Sequence, residues 1–110
     1  MMHEIKMKER NIDGTTINTW ERDVISCNLL SVEAGTNGYK GGDSGHGSRT
    51  YFRIQDEGGT DIEVKPTHNR WGAVDGFEVM LGGDTELETI IEALKFITHV
   101  LEEESESYGV

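Results

Sequence analysis

The end of the chain decides the fold: residues 82–104 read GGDTELETIIEALKFITHVLEEE. Two glycines and an aspartate break a preceding strand, and Thr85 followed three residues later by Glu88 has the spacing of a capping box, which begins many helices. Apolar side chains then recur every three or four residues, which is the period of an amphipathic helix. The sequence therefore predicts an acidic helix from Thr85 to about Glu104, with a frayed polar tail over residues 105–110.

Two apolar stripes run along this predicted helix. The first occupies about a third of the circumference, which is the width that a helix buries against a sheet. Its members are Leu87, Ile90, Ile91, Leu94, Ile97 and Leu101. The second stripe contains Ala93, Phe96 and Val100, and we expect Phe96 to be covered either by another part of the fold, such as an N-terminal hairpin, or by a second subunit or a partner. The predicted protein interface comprises Glu92, Phe96, Val100, Glu103 and Glu104.

Alternating apolar and polar residues predict strands before the helix. An opening hairpin is expected around Ile5 and Thr15–Trp20, joined by turn residues at 11–14. The most apolar early run, Val24–Glu33, is expected to form one central strand.

Three later segments, separated by turn residues, are expected to form an antiparallel meander. They are Thr50–Gln55, Asp61–Lys65 and Gly76–Leu81. Their inward side chains would be Phe52, Ile54, Ile62, Val64, Phe77, Val79 and Leu81. The predicted fold class is therefore α+β, an antiparallel sheet of about five to six strands packed by one C-terminal helix.

A formal net charge of −11, from 21 acidic and 10 basic residues, limits the class of partner. Such a field repels phosphate, so direct binding to DNA, RNA or an anionic membrane is disfavoured and cationic proteins are favoured. The lone Cys27 cannot form a disulfide framework, and no apolar run reaches the ~18 residues of a membrane span. We expect one cytoplasmic domain over residues 1–110, closed by the helix at 84–104.

The most distinctive segment is a glycine-rich loop, Gly35–Thr50, which holds six of the 14 glycines. Glycines let backbone N–H groups converge on an anion, and nearby lysine, arginine and serine side chains add donors. The predicted ligand-binding residues, which include a second cluster after the loop, are Tyr39, Lys40, Gly42, Ser44, Gly45, His46, Arg49, Arg70 and Trp71. The alternative is a long surface loop or a wide hairpin whose glycines only serve turns.

No constellation indicates catalysis or a cofactor. Residues 42–45 read GDSG and resemble the nucleophile motif of chymotrypsin-like serine proteases, but those enzymes need two barrels and about twice this length. The four histidines stand singly, without paired spacing or a second cysteine, so no metal site is expected. We therefore expect a protein that is not an enzyme and uses no cofactor.

The stretch from Cys27 through Gly47 to Thr50-Tyr51-Phe52, followed by Gly82–Leu87, resembles small uncharacterised proteins of intestinal Firmicutes and their phages. The resemblance implies a phage or mobile-element accessory protein of the anti-defence type. Such a protein would act in the host cytoplasm, by binding and not by catalysis.

Three functions are open at this point. In the first, the glycine-rich loop sequesters an anionic, nucleotide-like small molecule, with Lys40 and Arg49 as donors. In the second, the acidic helix imitates nucleic acid and blocks the basic groove of a nuclease or CRISPR effector. In the third, the chain is a soluble housekeeping domain without a ligand. Self-association through the stripe that contains Phe96 is a further alternative.

Overall fold

The computed structural model describes residues 4–25, 28–38 and 47–106, and these form strands followed by one long helix. The elements are β1 (Lys6–Ile12), β2 (Thr15–Ile25), β3 (Leu29–Thr36), β4 (Thr50–Gly58), β5 (Ile62–His68), β6 (Val74–Leu81) and α1 (Asp84–Ser105). The α+β class is therefore confirmed. No helix in this part of the chain is long and apolar enough to cross a membrane.

The main sheet has four antiparallel strands in the order β1-β2-β3-β4. Its opening hairpin turns at Asp13 and Gly14, which both have positive φ, as a tight two-residue hairpin turn requires. The predicted single strand Val24–Glu33 is wrong, because its two ends belong to β2 and β3, which pair with each other. Alternation continues through both strands, so the pattern alone hides the reversal. Cys27 lies outside the described residues.

The predicted meander is correct for the antiparallel pair of β5 and β6 but wrong for β4, because β5 and β6 form a separate two-stranded sheet. Strand β4 pairs with β3, with Thr50 opposite Thr36. The chain then turns at Gly59, where φ is 75°. Alternation predicts each strand but carries no information about which neighbour it pairs with. We call the projecting hairpin, residues 62–81, the β5–β6 arm.

The core lies between one face of the main sheet and the helix, which packs mainly on β3. The buried apolar side chains of this core are Val24, Leu30, Val32, Ala34, Ala93, Phe96, Ile97 and Val100. Partly buried side chains at its margin are Trp20, Ile54, Ile90 and Leu101. The second predicted stripe is therefore fully buried against the sheet, whereas of the first stripe only Ile97 is buried and Ile90 and Leu101 are partly buried.

The helix is rotated about its axis relative to the sequence-based prediction. Leu87, Ile91 and Leu94 were expected in the core but are 56%, 42% and 49% exposed. Thr89 is buried instead, and its hydroxyl oxygen lies 2.8 Å from both Asn28 Oδ1 and the Thr85 carbonyl oxygen, either of which can accept its hydrogen. With its polar atom satisfied, this small side chain lets the helix approach the sheet closely.

The helix start differs from the predicted capping box. Its N-cap is Gly83, with φ 111°, and no side chain caps the first turn. Thr85 already lies inside the helix, and the Glu86 carboxylate accepts the backbone N–H of Asp61. The helix continues one residue past the predicted end, to Ser105, and residues 107–110 of the predicted tail lie outside the described ranges.

Candidate functional site

A groove lies between the start of the chain and the C-terminal half of the helix. Its volume is about 390 Å³. Its lining residues are Ile5, Trp20, Phe96, His99, Val100, Glu103 and Glu104. We call it the acidic groove. Four of the five residues predicted as a protein interface line it, and the fifth, Glu92, is exposed on the same helix.

Side chains from β2, from Ile5 just before β1 and from the helix build the apolar floor of the acidic groove. Trp20 projects from β2 opposite Ala34 of β3 and packs at the margin of the core. Phe96 is buried by the chain itself, and the Arg22 guanidinium lies 5.3 Å from its ring centroid. The Trp20 indole N–H is buried without a hydrogen-bond partner in the described part of the chain. The floor is therefore aromatic and apolar, because the indole N–H is buried and does not reach its surface.

The rim of the groove is electronegative for two reasons. Glu103 and Glu104 contribute carboxylates, and the last turn of the helix contains no basic residue. The C-terminal end of a helix also carries the negative end of its dipole, which adds to the field of the glutamates. A cation on a flexible apolar stem, such as a lysine or arginine side chain, fits both floor and rim.

The other face of the main sheet carries an ion network centred on Glu33, whose side chain is 0% exposed. Arg10 donates to both Glu33 oxygens, at 2.8 and 2.7 Å, and Thr19 donates to one of them at 2.5 Å. Arg53 donates to Glu21 at 2.7 Å and lies 3.6 Å from Glu33. We call this set the Glu33 network, and its hydrogen bonds satisfy a buried charge that would otherwise be costly.

These contacts change the acid–base properties of two glutamates. The hydrogen bonds from Arg10 hold the pKa of Glu33 below its usual range, against the opposing effect of burial. Burial acts to raise the pKa of Glu21, but hydrogen bonds from Lys8 and Arg53 outweigh it and lower that pKa. The pKa of the Arg10 guanidinium is raised by its hydrogen bonds to Glu33. Glu33 and Glu21 are thus ionised at neutral pH.

The lowered glutamate pKa values predict acid sensitivity. Because the pKa is lower in the folded state, the stabilisation is complete above the unfolded-state pKa near 4.5 and is lost as the pH falls through the folded value. We expect urea unfolding followed by circular dichroism to show this loss below about pH 4.5. Glu33→Gln should be less stable at pH 7 and should lose less stability on acidification. An equal loss in both proteins would contradict this role for Glu33.

Only the base of the glycine-rich loop lies within the described residues. Thr36 and Thr50 share a hydrogen bond of 2.8 Å, and Asn37 Oδ1 accepts the Arg49 backbone N–H at 2.8 Å. The Arg49 side chain donates to the Ser48 carbonyl and lies 4.0 Å from Asp13. The predicted ligand residues outside the described ranges are Tyr39, Lys40, Gly42, Ser44, Gly45 and His46.

The other predicted ligand residues lie on a different element. Arg70 and Trp71 are at the tip of the β5–β6 arm, where the guanidinium stacks 4.6 Å from the ring centroid. Trp71 is 77% exposed. Arg49, by contrast, lies at the base of the loop beside the β1–β2 turn. Arg49 and the Arg70–Trp71 pair therefore belong to different elements of the fold.

Sequence reasoning missed three groove residues and the whole Glu33 network. Ile5, Trp20 and His99 complete the groove from elements that are far apart in sequence. A signal for the network did exist, because Lys6, Lys8 and Arg10 alternate along β1 and therefore share one face. Their partners depend on strand register, which alternation does not supply.

Neither metal chemistry nor relatedness identifies the site further. Across residues 4–25, 28–38 and 47–106, no group of three histidine, cysteine or acidic side chains could hold a metal ion. No protein-family model, curated protein or solved structure matches the chain.

Proposed function

We propose that this chain is a non-catalytic binding protein that engages a basic segment of a partner protein through the acidic groove. The observation that carries the proposal is the joining of an aromatic floor, formed by Trp20 and Phe96, to the carboxylate rim of Glu103 and Glu104. A lysine or arginine stem would cover the floor while its charge meets the rim. The net charge of −11 favours the approach of such a partner.

The partner class that best fits this chemistry is a nucleic-acid enzyme with a basic groove. The acidic residues of the exposed helix face would take the places of phosphates, as the second of the three functions requires. An anti-defence setting, which the sequence resemblance implies, would suit such an inhibitor. The basic segment of the enzyme would then be both its substrate-binding surface and the ligand of the groove.

Sequestration of a nucleotide-like anion by the glycine-rich loop stays a prediction, because residues 39–46 lie outside the described ranges. Support for it would come from a purified chain that releases nucleotide-like absorbance on denaturation. A housekeeping domain without a ligand is the third alternative, and it predicts neither that absorbance nor binding of a basic segment.

The groove can be tested with a short peptide of lysine and leucine, and with the same peptide carrying glutamate for lysine as the control ligand. Trp71→Phe removes the exposed indole, so that the remaining fluorescence reports Trp20. We expect the lysine peptide to bind and to shift the Trp20 emission. Glu103→Gln with Glu104→Gln should weaken binding by roughly fivefold to thirtyfold, since each surface charge pair contributes up to about 1 kcal/mol.

A matched control distinguishes a local effect of the groove carboxylates from the effect of the protein's net charge. Glu57→Gln with Glu78→Gln removes the same charge from exposed positions that do not line the groove. Binding in this control should fall much less than in the groove variant. Equal weakening in both variants, or an unchanged Trp20 emission, would show that the peptide does not occupy the groove. Added salt should weaken binding, because exposed charge pairs are screened.

A further inference from the structure

The β5–β6 arm is strongly amphipathic. Directly opposite residues in an antiparallel pair share one face, and here Ile62 lies opposite Leu81, Val64 opposite Val79, and Pro66 opposite Phe77. One face of the arm is therefore entirely apolar over three successive pairs. The other face carries Glu63, Lys65, Thr67, Gly76, Glu78 and Met80.

This apolar face is open to solvent. Val64, Phe77 and Val79 are 58%, 58% and 37% exposed, although alternation had predicted all three to point into a core. The ring of Phe77 lies 6.3 Å from that of Phe52 on β4, which is itself exposed. An isolated two-stranded hairpin is only marginally stable in water, so a surface must cover this face for the arm to be well ordered.

The helix supplies a second uncovered surface. Leu87, Ile91 and Leu94 form an exposed apolar row, which we call the helix stripe. It shares no residue with the acidic groove. The chain thus presents two apolar surfaces of its own that could cover each other in a second copy.

The exposed area is of the size that a stable dimer needs. Phe52, Trp71 and Phe77 alone expose on the order of 350 Å², if each aromatic side chain offers about 200 Å². The exposed valines of the arm and the helix stripe bring the total exposed apolar area to about 800 Å². This is the area that each partner buries in a standard interface. The radius of gyration of 15.6 Å also exceeds the about 13 Å of a compact chain of this length.

Charge favours one pairing of these surfaces. The helix carries a large excess of acids, so two helix stripes packed on each other would place like charges together. The arm is nearly neutral, and His68 and Arg70 lie near its tip. An arm packed against a helix therefore avoids the repulsion and brings basic side chains towards acidic ones.

We propose that the chain forms a two-fold symmetric dimer in which the β5–β6 arm of each protomer covers the helix stripe of the other. Such an interface is self-complementary and closed, because each protomer supplies one arm and receives one. This dimer is independent of the proposed function, since the acidic groove stays outside the interface.

The dimer can be measured by sedimentation velocity and light scattering on the full chain over a range of concentrations. Val79→Glu on the arm and Leu94→Glu on the helix stripe should each raise the dissociation constant at least about tenfold, because each places an unpaired carboxylate in an apolar contact. Lys65→Gln is the matched control. It makes the same change in net charge on the polar face of the arm and should leave the dimer intact.

Circular dichroism and urea unfolding should show that all three variants fold, since each replaced side chain is at least partly exposed. A wild-type chain that stays monomeric at all concentrations overturns the proposal. So does a dimer that Val79→Glu leaves unchanged. A dimer disrupted by Val79→Glu but not by Leu94→Glu would show that the arm packs on a surface other than the helix stripe and would overturn the arm-to-helix assignment.

Mixing the two variants gives an independent result. A dimer of one Val79→Glu chain and one Leu94→Glu chain keeps one intact arm-to-helix contact, whereas neither variant alone keeps any. We expect the equimolar mixture to associate more strongly than either variant by itself. No gain on mixing would contradict the reciprocal exchange of arms.

Discussion

Arg10→Ala is expected to lower the free energy of unfolding by about 2–3 kcal/mol at pH 7. The substitution removes the guanidinium that donates to both oxygens of the buried Glu33 carboxylate. Removal of one member of a buried ion pair is strongly destabilising. Thr19 and Arg53 would retain part of the interaction and Arg10 is partly exposed, so the expected cost lies at or below the bottom of the about 3–5 kcal/mol range for fully buried pairs. Urea unfolding monitored by circular dichroism measures the change.

Lys8→Ala is the control for this prediction. It removes the same charge from the same strand, but Lys8 pairs with Glu21 at 3.0 Å while 44% exposed, and such surface pairs contribute less than about 1 kcal/mol. The difference between Arg10→Ala and wild type should also shrink at acidic pH, where Glu33 takes up a proton and needs its donors less. Equal effects of the two substitutions would show that Glu33 is not the centre of the network.

Gly35→Ala is expected to lower the free energy of unfolding by about 1–3 kcal/mol, the usual cost of forcing extra volume into a packed interior. A Cβ at this position would overlap the Asn18 backbone oxygen and lie 2.8 Å from the Thr19 Cα. Both are backbone atoms of the neighbouring strand and cannot rotate away. For a domain of this size, each 1 kcal/mol corresponds to a fall of roughly 4–8 °C in the thermal midpoint.

Gly58→Ala is the matched substitution, because a Cβ there would meet no atom within 4 Å. Since alanine has less freedom than glycine in the unfolded chain, this variant should be neutral or more stable by up to about 1 kcal/mol. A thermal melt of the two variants side by side decides the issue. If Gly35→Ala has the same thermal midpoint as the wild-type protein, β2 and β3 do not approach as closely as the structure shows.

Local chemistry made some elements of this fold predictable. The period of apolar residues from Leu87 to Leu101 requires a helix, and the turn residues at 11–14 require a hairpin, whatever the rest of the chain does. Which helix face is buried was not predictable in the same way. Apolar side chains cover most of the circumference, and the buried face is set by contacts with residues distant in sequence, such as the core strands and Asn28, which lies 61 residues from Thr89.

The residues of the candidate site were likewise predictable only where they lie close together in the sequence. Glu103, Glu104 and Phe96 could be named from the helix pattern, but Trp20 could be placed beside them only once the sheet was known. Gly35 was assigned to a ligand loop because it begins a glycine-rich run. In the structure it belongs to β3, where backbone crowding is sufficient reason for glycine. For the β5–β6 arm, the alternation of apolar and polar residues predicts burial wrongly, because the apolar face of the arm is not buried within the chain.

The helix ends without any basic residue to balance its carbonyl groups and its glutamates. Like charges and the unfavourable dipole should make the last turn the first part of the helix to open in amide hydrogen exchange. A cation bound at Glu103 and Glu104 would relieve both effects and protect those amides. Binding and local folding are then thermodynamically linked, so a change that stabilises the last turn while keeping Glu103 and Glu104 will also increase the affinity for a basic ligand.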